Sequence, residues 1–126
     1  MIININSREY QLIFGVGFVR TLDEKYFIKN QAGMKFGTGL SQRIPSLLTH
    51  DPVTLAEFLY EGTCTEDKKP TQKEIDAYID NCEDMEALFD EVCSELKKAN
   101  ATRKMMKDLT QELEEETAKR KPKARK

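Results

Sequence analysis

The stretch YQLIFGVGFVRTLDEKYFI, Tyr10 to Ile28, changes its hydrophobic period halfway along. Eleven of its nineteen residues are apolar, too many for a surface segment. Before Gly15 the side chains suit a strand. After Gly17 the apolar positions Phe18, Val19, Leu22 and Tyr26 fall at i, i+1, i+4 and i+8, one face of a helix. The stretch predicts a strand that turns at once into a core helix over Val16 to Phe27.

Upstream, Ile2 to Ile5 and Glu9 to Phe14 read as two strands joined at Asn6-Ser7-Arg8, because Asn and Ser favour tight turns and Ile favours strands. A lone hairpin is barely stable in water, so its apolar face must pack on the helix that follows. Downstream, Lys29 to Gly39 carries three glycines in a polar run and is expected to be a loop. Leu40, Ile44, Leu47 and Leu48 resume helical spacing, with Pro45 expected to kink or split the segment. Asp51 is placed to cap a helix that starts on Pro52 and stops at Gly62. After a polar linker, Thr63 to Lys69, the residues Thr71-Gln72-Lys73-Glu74 form a capping box for a short helix ending near Asn81.

Asn81 or Asp84 can cap the last helix, whose apolar positions run from Met85 through Leu88, Val92 and Leu96 to Leu109 and Leu113. Beyond Lys97 its surface is mostly charged, so that end is expected to project. The fold class expected is α+β, mainly α: an N-terminal β-hairpin followed by about five helices, the last one long and projecting. The corresponding organisation is a globular body over residues 1–98, an extended charged helix over 99–118 and a basic disordered tail over 119–126.

A chain of 126 residues is one domain's worth. No segment is long and apolar enough to span a bilayer, and the first ten residues lack the basic and apolar regions of a secretory signal, so no membrane association and a cytoplasmic location are expected. Cys64, Cys82 and Cys93 show no CxxC spacing, and His50 is the only histidine, so neither a disulfide frame nor a metal site is expected. All 22 acidic residues precede position 118 and six of the 20 basic residues follow it, which leaves the body at −8 and the tail at +6. An acidic body repels the phosphates that a basic tail attracts, so nucleic acid is not an expected partner. A small regulatory protein that binds nucleic acid through this tail is the alternative reading, weakened further by the lack of aromatic residues among the tail's basic ones.

The motifs that could carry chemistry are incomplete. Gly15-Val16-Gly17 sits where a phosphate-cradling turn would, but Arg20 occupies the position of the third glycine and no Gly-Lys-Ser/Thr follows. His50 beside Asp51 lacks any nucleophile placed by a motif, and Asp51 is better used as a cap. The acidic pair Glu83-Asp84 and the run Glu114 to Glu116 fall on solvated faces. Neither catalytic residues nor a cofactor is expected. What remains are interaction features: the half-exposed stripe of the last helix and its adaptable methionines, Met105 and Met106.

The ordered blocks IININSREYQLIFGVGFVRTLDEKY, GMKFGTGL, Pro45-Ser46-Leu47-Leu48, DPVTLAEFLYEGT, KKPTQKEIDAYID and FDEV resemble the tail assembly chaperones of siphophages that infect Gram-positive bacteria. The resemblance runs from Ile2 to about Leu109. It implies a non-enzymatic protein of the host cytoplasm, absent from the mature virion. Such a protein binds and solubilises the tape measure protein and helps recruit tail tube (major tail) subunits during morphogenesis. Many members exist in short and frameshifted long forms, so Lys119 to Lys126 would lie where the two diverge. Coverage of a long client by many modest contacts implies several copies and self-association. The partner-binding residues expected are Phe18, Leu22 and Tyr26 on the first helix and Met105, Leu109 and Leu113 on the last, with Phe18 and Leu22 reading equally well as plain core.

Overall fold

The computed structural model describes residues 1–124. Strands β1 (Ile2–Ile5) and β2 (Arg8–Gln11) pair antiparallel, with Ile3 opposite Tyr10 and Ile5 opposite Arg8. The turn between them holds Asn6 and Ser7 at φ of 52° and 66°, the two left-handed positions that match the twist of a two-residue hairpin. Alternation then points Ile3, Ile5, Tyr10 and Leu12 inward.

The chain leaves β2 earlier than the sequence suggests. The Leu12 N–H donates to the Met1 carbonyl and the Ile13 N–H to the Gly62 carbonyl, so the segment hands over from the hairpin to the end of a distant helix. It then enters α1 (Val16–Lys25), which buries Phe18 and Leu22 completely. This is the expected strand-to-helix joint.

The first helix stops at Lys25, short of the expected Phe27, and its expected end joins the expected loop in a second, short hairpin, β3 (Phe27–Lys29) with β4 (Lys35–Gly37), Ile28 facing Phe36. Its turn is closed by Asn30 and Met34, whose N–H and carbonyl pair at 3.0 Å, while Gly33 takes φ 83°. Three-residue strands with no buried position leave no alternating signal in the sequence, which is why glycine content dominated the expectation.

Helix α2 (Gly39–Leu48) continues through Pro45 rather than splitting there. Its N-terminus is held from outside: the Asp23 carboxylate of α1 accepts from the Gly39 N–H at 2.9 Å. At its other end His50 sits at φ 63°, donating its N–H to Leu47 while the Asp51 N–H reaches the Ser46 carbonyl, a left-handed helix stop. Asp51 immediately caps α3 (Pro52–Gly62), as expected. Helix α4 (Gln72–Asp80) opens on the Thr71/Glu74 capping box and α5 (Met85–Lys98) on Asp84.

The long last helix expected from about Asp84 is two helices. Ala99 leaves α5 with an extended backbone, φ −73° and ψ 136°, and the chain restarts as α6 (Arg103–Ala124) after Thr102, whose buried hydroxyl donates to the Leu96 carbonyl at 2.6 Å. The reason is tertiary: the break folds α6 back against α5 and α2 and buries Met106. The core therefore continues past residue 98, and α6, the longest element, is exposed from Glu114 to Lys119. The basic end expected as disordered from Lys119 has helical backbone as far as Ala124, Pro122 included. Arg125 and Lys126, the rest of that tail, lie outside the described residues.

Gly39 sits where α2 starts against α1. A Cβ there would lie 2.9 Å from the Leu22 carbonyl carbon and closer still to its Cβ. Overpacking against backbone cannot be relieved by a side-chain rotation, so Gly39→Ala is expected to lower stability by about 1–3 kcal/mol, read as a lower urea midpoint with an unchanged slope.

Candidate functional site

Three places on the described surface where side chains converge differ in their chemistry. The first is polar and lies between α1, α2 and α3. The Tyr26 hydroxyl donates to Glu57 Oε2 at 2.7 Å, and Arg43 donates through Nε to Glu57 Oε1 at 2.9 Å and through Nη2 to Thr54 Oγ1 at 2.8 Å. Thr54, wholly buried, donates its own hydroxyl to Asp51 Oδ2 at 2.6 Å. Lys25 Nζ stands 2.9 Å from Glu61 Oε2 and 4.0 Å from Glu57 Oε2. It neutralises the buried Glu61 without meeting that oxygen along a hydrogen-bonding direction.

Glu57 and Glu61 are paired with Arg43 and Lys25, whereas Asp51 is held by hydroxyl and backbone donors rather than by a cation. Burial, and then the hydrogen bond to Glu57, push the Tyr26 phenol above its ordinary range. Asp51 goes the other way: the Thr54 hydroxyl and then the Val53 and Thr54 backbone groups hold it below the usual carboxylate range. The cluster clamps three helices together. Sequence reading placed Asp51 as a cap but missed the rest, because Glu57 and Glu61 carry no signal of burial on a helix face.

The second place is apolar and lies on α6. Met105, Leu109 and Leu113 recur at four-residue steps along one side and are half-buried. Leu109 and Leu113 line an open cleft of about 380 Å³ with Pro45 of α2, rimmed by Glu112, Glu115, Glu116 and Lys119. The helix repeat thus reaches the surface beside a proline whose ring cannot hydrogen-bond.

The third place is the β3–β4 hairpin. Phe27, Ile28, Met34 and Phe36 are all exposed, with Lys35 Nζ 4.2 Å above the Phe27 ring. Beyond the apolar residues themselves, nothing in the residue pattern marks this patch.

Of the six partner-binding residues expected, the structure brings Met105, Leu109 and Leu113 together on the α6 seam. Phe18 and Leu22 have no exposed surface and belong to the core, so as folded here they touch only their own chain. A helical period shows that a face is apolar, not that it looks outward. Tyr26 is half-buried and bound to Glu57. His50 is exposed, in a turn, and stacks on Phe89 with ring centroids 4.5 Å apart.

The polar cluster thus holds helices together, while the apolar side chains of the α6 seam and the β3–β4 hairpin lie at the surface. The family model for phage tail assembly chaperone proteins (TAC) matches residues 2–111, and the chain belongs to that family. No curated protein and no solved structure matches it. Among the described residues no helix is long and apolar enough to cross a membrane.

The Asp51 geometry yields a pH test. A carboxylate depressed in the fold adds stability above its unfolded value, about 4, and loses it as the pH falls through the lower folded value. Asp51→Asn keeps one capping oxygen and removes the titration. Wild type is expected to melt above the variant from pH 6 to 8, and the gap is expected to shrink as the pH falls below about 4.

Proposed function

We propose that this chain binds and solubilises the tape measure protein and helps recruit tail tube subunits during tail morphogenesis. It does so without catalysing a reaction, in the cytoplasm of a Gram-positive host, and leaves the finished tail. The observation that carries the reading is the seam of Met105, Leu109 and Leu113, which runs out along an otherwise charged helix beside Pro45. An amphipathic client helix lays side chains at i, i+3 or i+4 and i+7 into such a groove, and the acidic rim favours a client whose apolar stripe is flanked by lysine or arginine.

Half-buried leucines suit a chaperone better than wholly exposed ones. They give each contact modest strength, so a bound client can be released when tube subunits take its place. Several copies along one client add up to firm coverage. Tail tube subunits would then meet surfaces that the client leaves free.

Removing all of α6 would open the core at Met106, so the informative variants are point substitutions. Co-expression with wild type is expected to bring the tape measure protein into the soluble fraction. Leu109→Asp with Leu113→Asp, checked for folding by circular dichroism, is expected to return it to the pellet. A tape measure protein equally insoluble with and without the wild-type chain would overturn the proposal.

A further inference from the structure

Two surfaces that the α6 seam does not use complement each other. The β3–β4 hairpin exposes Phe27 by 38%, Ile28 by 58%, Met34 by 57% and Phe36 by 45%. A ribbon of two three-residue strands has little stability of its own, and this one meets the body mainly where β4 lies along α1. So many large apolar side chains on one short segment exceed the scatter of single exposed residues found on any protein. The only charges between Phe27 and Gly37 are the ammonium groups of Lys29 and Lys35.

The other surface is an open groove of about 780 Å³ between the β1–β2 turn, α4 and α5. Its wall is apolar at Ile5, Ala77, Tyr78, Ala87 and Leu88. Its rim carries Glu74, Glu83, Asp84 and Glu91 against the single cation Lys73. No residue of the hairpin lines it.

We propose that the β3–β4 hairpin of one copy of this chain seats in the α4–α5 groove of a second copy. Phe36 and Ile28 or their neighbours fill the apolar wall, while Lys29 and Lys35 meet the carboxylates of the rim. The match in both polarity and sign of charge points to a second copy: the same chain carries a basic apolar projection and an acidic apolar recess. Knob and recess lie on different parts of the fold, so the contact is heterologous. Each copy that binds leaves one free hairpin and one free groove at the ends, and association continues to a closed ring or an open chain. The α6 seams then repeat along the assembly. The interface itself stands independently of which client they hold.

The test uses the full chain and sedimentation velocity over a range of concentrations. Wild type is expected to form species larger than a dimer. A hairpin variant, Ile28→Asp with Phe36→Asp, and a groove variant, Glu83→Lys with Glu91→Lys, are each expected to sediment as monomers with unchanged circular dichroism. Mixed in equal amounts they retain one intact hairpin and one intact groove between them, and are expected to form a complex of two chains and nothing larger. Monomeric wild type, continued assembly of either variant alone, or a mixture that stays monomeric would each overturn the proposal. Continued assembly of the groove variant would indicate hairpin-to-hairpin pairing instead.

Discussion

Phe18 is the residue through which three parts of the chain are fixed to one another. Its ring meets Phe14 edge to face with centroids 5.0 Å apart, and Phe58 at 5.2 Å in the same manner. Phe14 ends the segment leaving the first hairpin, Phe18 lies in α1 and Phe58 in α3. Each such pair contributes about 0.5–1.5 kcal/mol beyond the area it buries, but its direction matters more than its size. Edge-to-face contacts fix ring orientation, so rotating the hairpin over α1 would lose the Phe14 contact and shifting α3 would lose the Phe58 one. The Ile13 hydrogen bond to the Gly62 carbonyl closes the same triangle through the backbone.

The polar clamp around Glu57 is the second layer of this arrangement. It sits at the far end of α1 from Phe18 and ties Tyr26 and Lys25 to α2 and α3. With aromatic packing at one end of the helix and ion pairing at the other, α1 is held along its whole length. That rigidity explains how a two-stranded ribbon as short as β3–β4 keeps its shape. It continues directly from the clamped end of α1, and the Thr38 N–H returns to the Tyr26 carbonyl at 2.9 Å. Asp23, one turn earlier, holds the start of α2. The exposed hairpin is therefore presented by a rigid base.

What the sequence made legible was chemistry that acts over three or four residues. The Asn6-Ser7 turn, the Asp51-Pro52 start, the Thr71/Glu74 box and the Asp84 cap all satisfy local backbone groups, and each is where its residues predicted. What escaped was decided by distant contacts. In Ala99-Asn100-Ala101-Thr102 the two alanines favour helix and only Asn100 and Thr102 hint at a stop and a restart, a weak signal inside a long helical period; the break is fixed by Met106, which fills a place in the core. The same limit applies to the candidate site. The spacing of Met105, Leu109 and Leu113 was readable, whereas Phe18 and Leu22 show an equally good period and are wholly buried. Periodicity fixes which residues share a face, and only the packing of other elements decides whether that face is covered.

The break at residues 99–102 also determines what kind of binding surface the chain can offer. Had α5 and α6 been continuous, the leucines beyond Leu96 would have lined a lone helix standing in water, free to pair with any apolar partner. Folded back, α6 uses Met106 to anchor itself and sets Leu109 and Leu113 beside Pro45, where each is covered on one side. A surface half-satisfied by its own chain binds less tightly than a bare one and aggregates less readily. Both consequences suit the chaperone role proposed above. The turn at residues 99–102 is thus what leaves α6 a half-covered seam in place of a bare apolar helix.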